Sequence, residues 1–325
     1  MNPATGSASH VELERLARAR GRLPQLFAGL VKDGESLWRS EAIPDQFDDR
    51  RLYWQRLAVL SELSKEERPA FEAASRGLTS FRFSDAADIR VAVTGFDPFH
   101  LDDHIDQGNP SGLVALQLSG KRLPVGNRIA EIQSILVPVR YGDFDEGLIE
   151  KFFAPFLGEL DMVITVSMGR DGFDLERFPG RRRSVSTPDN ANIIAGGSPE
   201  EPIVPVSNDG PEFVEFSLPV DVMCVVPGDF SVADNRVVTT LEDGEISAAG
   251  LEDLQGKTAV FGSGGGYLSN EISYRVLRLA QASGINIPMG HIHTPRMQGF
   301  DPDFLARATS QCHRLIFAAI ESLAD

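Results

Sequence analysis

Cysteine is scarce in this sequence: the 325-residue chain has only two, Cys224 and Cys312. Two cysteines so far apart do not make a disulfide framework, and neither has the spacing of a metal-ligand motif. Cys224 lies in an apolar run and is predicted to be a small core residue. No apolar stretch approaches the length that spans a bilayer, and the first residues lack the apolar segment of a signal peptide. We therefore expect a cytoplasmic protein with no membrane partner.

Basic residues are also few, with 31 Lys and Arg against 47 Asp and Glu and a net charge of −16. This balance argues against nucleic acid as a partner, because neutralising phosphates needs clustered Lys and Arg. The one compact basic cluster, 181–183, is predicted to be a solvated loop. Hydrophobic residues make up 42% of the chain and charged residues 24%, which is ordinary globular composition. The length favours one large domain with an appendage.

Residues 1–87 are predicted to form a helical N-terminal extension. Apolar residues recur at helical spacing over 13–30 and 48–61, and Ser64 with Glu67 has the pattern of a capping box. The segment contains no catalytic constellation. We expect its apolar stripe to pack on the main domain or on a neighbouring subunit of a homo-oligomer.

Residues 88–325 are predicted to form an α/β domain, because short apolar runs alternate with helical patterns. The predicted strands are 89–95, 132–139, 162–166, 220–226, 258–261 and 285–292, and the predicted helices are 111–118, 144–156, 269–282 and 302–323. Such alternation implies a mostly parallel sheet covered on both faces, with function at the loops after the carboxyl ends of strands. Residues 178–215 and 227–256 are predicted to be long loops or hairpins.

A glycine-rich turn, 262–266, lies between a predicted strand and a helix that begins near Ser269. Glycines let successive N–H groups point into one concavity, and a helix N-terminus adds partial positive charge. A serine hydroxyl there would lie beside oxyanion donors. From the residues alone, a turn capped by Ser269 or a phosphate cradle is at least as plausible as a nucleophile. The turn has neither P-loop lysine nor dinucleotide-binding spacing.

Two histidines, His291 and His293, lie at the end of a predicted strand, where a histidine can act as general base. We expect them to point to opposite faces of the strand and therefore not to share one site. Glu176 follows the predicted strand 162–166 and is placed on a loop, where a carboxylate could orient a histidine. Any acidic loop residue could take that role, so the residues alone do not assign it.

Four patches resemble, in the same order, the pyroglutamyl peptidase I (pyrrolidone-carboxylate peptidase) family. They are VAVTGFDPF at 91–99 with NPS at 109–111, the segment 163–177 with PDN at 188–190, GYLSN at 266–270, and HIHTP at 291–295. The resemblance spans about residues 90–320. It implies an open three-layer α/β/α sandwich with an omega-peptidase activity that removes an N-terminal pyroglutamyl residue, without a metal or organic cofactor.

By position, the resemblance assigns the nucleophile to Ser269, the base to His293 and the orienting carboxylate to Glu176. The substrate-binding residues that it implies are Phe96, Phe99, Asn109, Met168, Tyr267 and Leu268. The expected partner is a small molecule or peptide with a blocked or cyclic N-terminal acyl group.

Two departures from the family pattern bear on chemistry. Ser269 stands where the family has cysteine, and Met168 stands where it has a polar glutamine. A thiol can form an ion pair with histidine, whereas a serine hydroxyl must lose its proton during attack. Three interpretations stay open: a working serine hydrolase, a non-catalytic binding relative, and a cysteine peptidase that carries an introduced serine.

Overall fold

The computed structural model describes residues 10–324. The strands are β1 (Ile89–Phe96), β2 (Arg122–Val125), β3 (Arg128–Val137), β4 (Met162–Met168), β5 (Phe173–Glu176), β6 (Val232–Asn235), β7 (Val237–Thr240), β8 (Gly244–Ser247), β9 (Ala259–Phe261) and β10 (Met289–Thr294). The helices are α1 (His10–Arg22), α2 (Gly34–Glu41), α3 (Arg50–Leu60), α4 (Arg68–Ser75), α5 (Pro110–Leu118), α6 (Tyr141–Asp145), α7 (Leu148–Phe153), α8 (Val220–Met223), α9 (Leu268–Ala282) and α10 (Pro302–Glu321).

Seven strands form the main sheet, in the order β2-β3-β1-β4-β10-β5-β6. Its centre, from β3 to β10, is parallel, whereas β2 and β5 each run antiparallel to an inner neighbour. The central strands consist of apolar runs because both faces of a parallel sheet are buried. Helices α5 and α10 contact each other and cover one face, and α7 and α9 cover the other. The predicted α/β sandwich with a mostly parallel sheet is confirmed.

The helical segment 10–75 packs on this sandwich. Trp54 and Leu57 of α3 are buried in one apolar cluster with Leu101 and Ile105, and Leu52 is buried in a second cluster that includes Leu136 of β3. Burying a large apolar side chain contributes roughly 1.5–3 kcal/mol, so these helices adhere firmly to the main domain. The predicted packing is confirmed for the described residues, whereas the boundary at 87/88 and a homo-oligomer stay predictions.

Buried ion pairs also join the extension to the sheet. Arg56 of α3 donates to the Asp97 carboxylate at 2.8 Å, and Arg76 lies 2.7 Å from the other carboxylate oxygen. Arg15 of α1 donates to Asp102 at 2.9 Å and to the carbonyl oxygen of Asn190. Asp97 and Asp102 lie on the loop after β1, so the extension fixes a loop at the carboxyl end of the sheet.

Two predicted elements are wrong, and the predicted strand at 258–261 is a strand that lies outside the main sheet. The run 220–226 is not a strand: Val220–Met223 is a short helix preceded by Pro219, and Val225 is exposed. Strand β9 does not join the main sheet but pairs antiparallel with β7, which also pairs with β8. The segment 162–177 holds a second strand, β5, in place of the predicted loop at Glu176. Short strands without a long apolar run escape a prediction based on periodicity.

Several smaller expectations can also be compared with the structure. Cys224 is partly buried against the core and Cys312 is fully buried, and both are free thiols. The Glu67 carboxylate accepts from the Ser64 N–H at 3.0 Å, but Ser64 does not cap α4, because the N-cap residue of that helix is Glu67. None of the helices between residues 10 and 324 has the length and apolarity needed to cross a membrane.

Candidate active site

A histidine–carboxylate pair lies beside the carboxyl end of the parallel strands. Nδ1 of His293, in β10, lies 2.5 Å from Oε1 of Glu176, the last residue of β5. Both side chains are buried. The contact is a diagonal one across the antiparallel β10–β5 pair, in which His293 is opposite Asp174. The sheet itself therefore holds the two side chains together.

The second oxygen of Glu176 is held by Asn235, which lies opposite it in β6. Asn235 Nδ2 donates to Glu176 Oε2 at 2.8 Å and to the carbonyl oxygen of Ser263 at 3.0 Å. Arg170 Nη1 lies 4.0 Å from Glu176 Oε1. Because a hydrogen-bonded carboxylate keeps a fixed orientation, Glu176 can in turn fix the tautomer and ring plane of His293.

Ser269 lies in the first turn of α9, one residue after the helix begins. Tyr267 is the N-cap residue, so the alternative in which Ser269 caps the helix is wrong. The Ser269 hydroxyl donates to the carbonyl oxygen of Gly264 at 3.2 Å rather than to His293. The first N–H groups of a helix have no partner within it and carry partial positive charge. Ser269 therefore lies beside donors suited to an oxyanion.

The glycine-rich turn is shaped by close contacts that only glycine permits. Gly262 and Gly265 exchange backbone hydrogen bonds of 3.0 and 2.9 Å, and Gly265 has a φ of +88°. A Cβ atom on Gly266 would lie 2.0 Å from Oγ of Ser184. Asn270 of α9 holds the opposite side, since its amide accepts from the N–H of Gly180 at 2.8 Å and donates to its carbonyl oxygen at 2.7 Å. The turn is thus fixed on both sides.

A small cavity of about 30 Å³, here called the acyl cavity, lies beside Ser269. It is lined by Phe96, Phe99, Asn109, Val139, Ser167, Met168, Tyr267, Leu268 and Ser269. The six residues assigned to substrate binding by resemblance all lie in this wall. An open cleft of about 860 Å³ adjoins it and is lined by both Ser269 and His293. Ser269 lies at the boundary of the two spaces, where a bond between an acyl group and a leaving group could be attacked.

Two residues in the wall of the acyl cavity use their polar groups in hydrogen bonds within the protein. Asn109 caps α5 through Oδ1, which accepts from the Ser111 N–H at 3.0 Å, and its Nδ2 donates to the carbonyl oxygen of Asp97 at 2.9 Å. The Tyr267 hydroxyl donates to the carbonyl oxygen of Pro188 at 3.1 Å. Asn109 and Tyr267 therefore shape the wall, and their polar groups hold neighbouring loops.

His291 and His293 share one face of β10, contrary to the sequence-based expectation. Their ring centroids are 4.8 Å apart with the planes at 86°. Side chains alternate along a strand with a period of two, so residues two apart point to the same side. Burial, and to a lesser degree the nearby His293, lower the pKa of His291 well below its usual range. His291 is thus a neutral ring next to the candidate base.

Three residues of this site carry no signal that the sequence analysis used. Asn235 lies in a region predicted to form loops or hairpins, Ser167 is the next-to-last residue of β4, and Val139 follows the end of β3. None of the three belongs to a recognisable motif. Among residues 10–324, no group of three or more His, Cys, Asp or Glu converges in a way that could hold a metal ion.

Comparison with known proteins places most of the chain in a single family. Residues 90–215 and 216–298 match the model of the family described as the PA0049 C-terminal domain. The uncharacterized protein PA0049 of Pseudomonas aeruginosa is 28% identical, over 88% of this chain and 73% of that protein. The pyrrolidone-carboxylate peptidase of Enterococcus faecalis is 27% identical, over 72% of this chain and 92% of that protein.

Solved structures of pyrrolidone carboxyl peptidase from the hyperthermophile Pyrococcus furiosus have a similar fold. One matches with a TM-score of 0.50 and 22% identity, over 72% of this chain and 100% of the other. A mutant of the same enzyme gives a TM-score of 0.50 and 22% identity over 73% of this chain and 98% of the other. At this level of identity the likeness concerns the fold.

Proposed function

This chain belongs to the PA0049 C-terminal domain family, and its fold is similar to that of a pyrrolidone carboxyl peptidase. We propose that it is a hydrolase of the pyroglutamyl peptidase type. Its reaction would cleave the amide bond between a pyroglutamyl or related cyclic acyl group and a leaving amine. Ser269 would be the nucleophile, His293 the general base and Glu176 the carboxylate that orients it. The observation that supports this most is the buried Glu176–His293 pair on the wall of the cleft that Ser269 also lines.

The acylation half-reaction begins with a turn of the Ser269 hydroxyl away from the Gly264 carbonyl oxygen towards Nε2 of His293. His293 takes the hydroxyl proton while Oγ forms a bond to the acyl carbon. The charged imidazole is stabilised by Glu176 at Nδ1. Backbone N–H groups at the start of α9 stabilise the oxygen that gains negative charge.

Collapse of this intermediate breaks the carbon–nitrogen bond, and the leaving amine receives the proton from His293. The acyl group stays on Ser269 as an ester and lies in the acyl cavity. Water then enters from the open cleft, gives its proton to His293 and attacks the ester carbon. Breaking the ester bond returns the proton to Ser269 and releases the free acid. The sum is hydrolysis of one amide bond.

The assignment of Ser269 is tested by labelling and by turnover. A fluorophosphonate probe should modify Ser269, as mapped by peptide mass spectrometry, and the protein should release the fluorophore from a pyroglutamyl aminocoumarin amide. Ser269→Ala should abolish both signals. The matched control is Ser283→Ala, which changes an exposed serine at the other end of α9 and should leave both unchanged.

The outcomes separate the three interpretations. Labelling and turnover by the parent protein support a serine hydrolase. Turnover by Ser269→Cys alone would indicate a cysteine-type site that lacks its thiol. A protein that neither reacts with the probe nor turns over any pyroglutamyl amide, as parent or as Cys variant, would be a binding relative, and the hydrolase proposal would be withdrawn.

A further inference from the structure

One polar side chain of the acyl cavity is unexplained by the reaction above. Ser167 lies near the end of β4, opposite His293 in β10, and is 4% exposed. It lines the acyl cavity together with Ser269. Because a hydroxyl in an apolar wall costs free energy unless it is hydrogen-bonded, its partner is informative.

That partner is His291, whose ring lies between two hydroxyl groups. Nε2 of His291 is 2.7 Å from Oγ of Ser167, and Nδ1 is 2.7 Å from Oγ1 of Thr165. His291 is fully buried. Thr165 is also within 3.3 Å of the carbonyl oxygen of Gly290. The three side chains form a fixed row under the cavity that ends at Ser167.

A neutral imidazole has one N–H donor and one acceptor nitrogen, so the two hydroxyls take opposite roles. When Nε2 donates to Ser167, the serine hydrogen is free to point into the cavity. When Nε2 accepts from Ser167, the serine lone pairs face the cavity. In both tautomers Ser167 retains one unused hydrogen-bonding function, whose direction is set by His291.

The rest of the cavity wall supplies little polarity. Among its nine residues, five have apolar side chains: Phe96, Phe99, Val139, Met168 and Leu268. The polar groups of Asn109 and Tyr267 are bonded to neighbouring loops, and Ser269 has the role of nucleophile. Ser167 is therefore the side chain of this wall that is available for a polar contact with a ligand.

We propose that Ser167, positioned by His291, selects the acyl group by hydrogen-bonding a polar ring atom, so that the site accepts a lactam ring and disfavours a carbocycle of the same size. The proposal rests on the proposed function, because it takes the acyl cavity to be the site of the acyl group. A lactam carries both an N–H and a carbonyl oxygen, and it can satisfy Ser167 in either tautomer. A cyclopentane ring would leave this remaining hydrogen-bonding function of Ser167 unused in an apolar space.

The test measures binding, so that it does not depend on turnover. Pyroglutamate and cyclopentanecarboxylate are titrated into the Ser269→Ala protein by calorimetry, with and without Ser167→Ala. We expect pyroglutamate to bind about tenfold or more tightly than the carbocycle, because only the lactam ring can form a hydrogen bond with the unused function of Ser167. Ser167→Ala should remove most of this preference and leave the affinity for cyclopentanecarboxylate within about twofold.

Two further variants separate selection from folding. Ser273→Ala removes another buried serine hydroxyl, on α9 outside the cavity wall, and should keep the preference. His291→Phe should lose the preference as Ser167→Ala does, whereas His291→Gln, which retains a donor and an acceptor, should restore part of it. If His291→Phe does not fold, the Ser167→Ala comparison decides alone.

Three results would overturn the proposal. The two acids could bind with equal affinity, Ser167→Ala could weaken the binding of both acids equally, or neither acid could bind. The hydrolase proposal can fail separately, because an inactive protein that still prefers pyroglutamate through Ser167 would keep the selection and lose the catalysis. Conversely, a parent that hydrolyses pyroglutamyl and cyclopentanecarbonyl amides equally well, with or without Ser167, would be a hydrolase without this selection.

Discussion

Glu176 Oε1 and His293 Nδ1 lie 2.5 Å apart across two antiparallel strands. Such a short contact between a carboxylate and an imidazole N–H fixes which ring nitrogen carries the proton. It leaves Nε2 of His293 as the nitrogen available to a nucleophile in the cleft. The two residues are 117 positions apart in sequence, so the pair is a product of the sheet order rather than of any local motif.

Glu176→Gln should therefore reduce turnover strongly while leaving the fold intact. The amide would present a donor as well as an acceptor to Nδ1 and allow the wrong tautomer of His293. We expect kcat on a pyroglutamyl amide to fall by about 10²- to 10⁴-fold, in line with loss of the orienting carboxylate in triads. Steady-state kinetics with a melting curve of each protein measures this.

The matched control is Asp174→Asn, which changes a carboxylate on the same strand that pairs with Arg170 instead of His293. Its kcat should stay within about threefold of the parent, since the lost surface pair is worth little. If Glu176→Gln and Asp174→Asn behaved alike, Glu176 would have no part in the reaction.

Ser269→Cys should give the site thiol chemistry. Partial positive charge at the start of α9 and the nearby His293 both favour the thiolate, so iodoacetamide should label this cysteine faster than it labels Cys224. The measurement is alkylation at neutral pH followed by peptide mapping. Cys224 serves as the internal control because burial raises the pKa of its thiol. Equal labelling rates at the two cysteines would mean that the turn does not activate a nucleophile.

The sequence predicted the sheet well where its strands are long and apolar, as in β1, β3, β4 and β10. It predicted α9 and α10 from their helical periodicity. It missed β5 because FDLE is only four residues long and mixes apolar with acidic side chains. Glu176 was accordingly placed on a loop, and its role came from a resemblance to a family rather than from the pattern. Its partner Asn235 could not be predicted, because only the pairing of β5 with β6 brings the two together.

The two histidines illustrate a different kind of failure. His291 and His293 were expected on opposite faces, although a period of two places them on the same face. The true arrangement puts a neutral, buried ring under the acyl cavity, in contact with Ser167. Its hydrogen-bond partner Thr165 belongs to the neighbouring strand β4. The contact therefore depends on the register between β4 and β10, which cannot be predicted from a single sequence.

The buried carboxylate of Asp97 should be a major source of stability for the joint between the extension and the sheet. It pairs with two guanidinium groups, those of Arg56 and Arg76, at 2.8 and 2.7 Å. Asp97→Asn would remove the counter-charge of Arg56 and one of the two counter-charges of Arg76, and breaking a buried ion pair typically costs about 3–5 kcal/mol. Urea denaturation should show this loss as a lower midpoint.

The control for Asp97 is Glu62→Gln, which breaks an exposed ion pair with Lys32 in the same extension. Its denaturation midpoint should stay close to that of the parent, because exposed pairs are screened by solvent. A midpoint for Asp97→Asn that also matched the parent would show that the buried pairs do not stabilise the joint.

Low pH should weaken the contact between the extension and the main domain, because it protonates the Glu72 carboxylate. Burial alone would raise the pKa of the Glu72 carboxyl, but the guanidinium groups of Arg140 and Arg76 outweigh it and lower the pKa from 4.5 to about 2. A group with a lowered folded-state pKa stabilises fully above its unfolded pKa and loses this effect as the pH falls through the folded value. The parent should therefore exceed Glu72→Gln in unfolding free energy by on the order of 3 kcal/mol at pH 6. This difference should shrink steadily between about pH 4.5 and pH 2.

Urea denaturation of both proteins at pH 6, 4 and 3 measures this difference directly. The contributions of the other acidic groups to the unfolding free energy cancel, because both proteins contain them. Glu66→Gln, an exposed change just before α4, should follow the parent at every pH. If the gap between parent and Glu72→Gln stayed constant from pH 6 to pH 3, Glu72 would not be held ionised by Arg140 and Arg76. A gap that widened on acidification would reverse the sign of the argument, because it would require the folded protein to bind the Glu72 proton more tightly than the unfolded chain does.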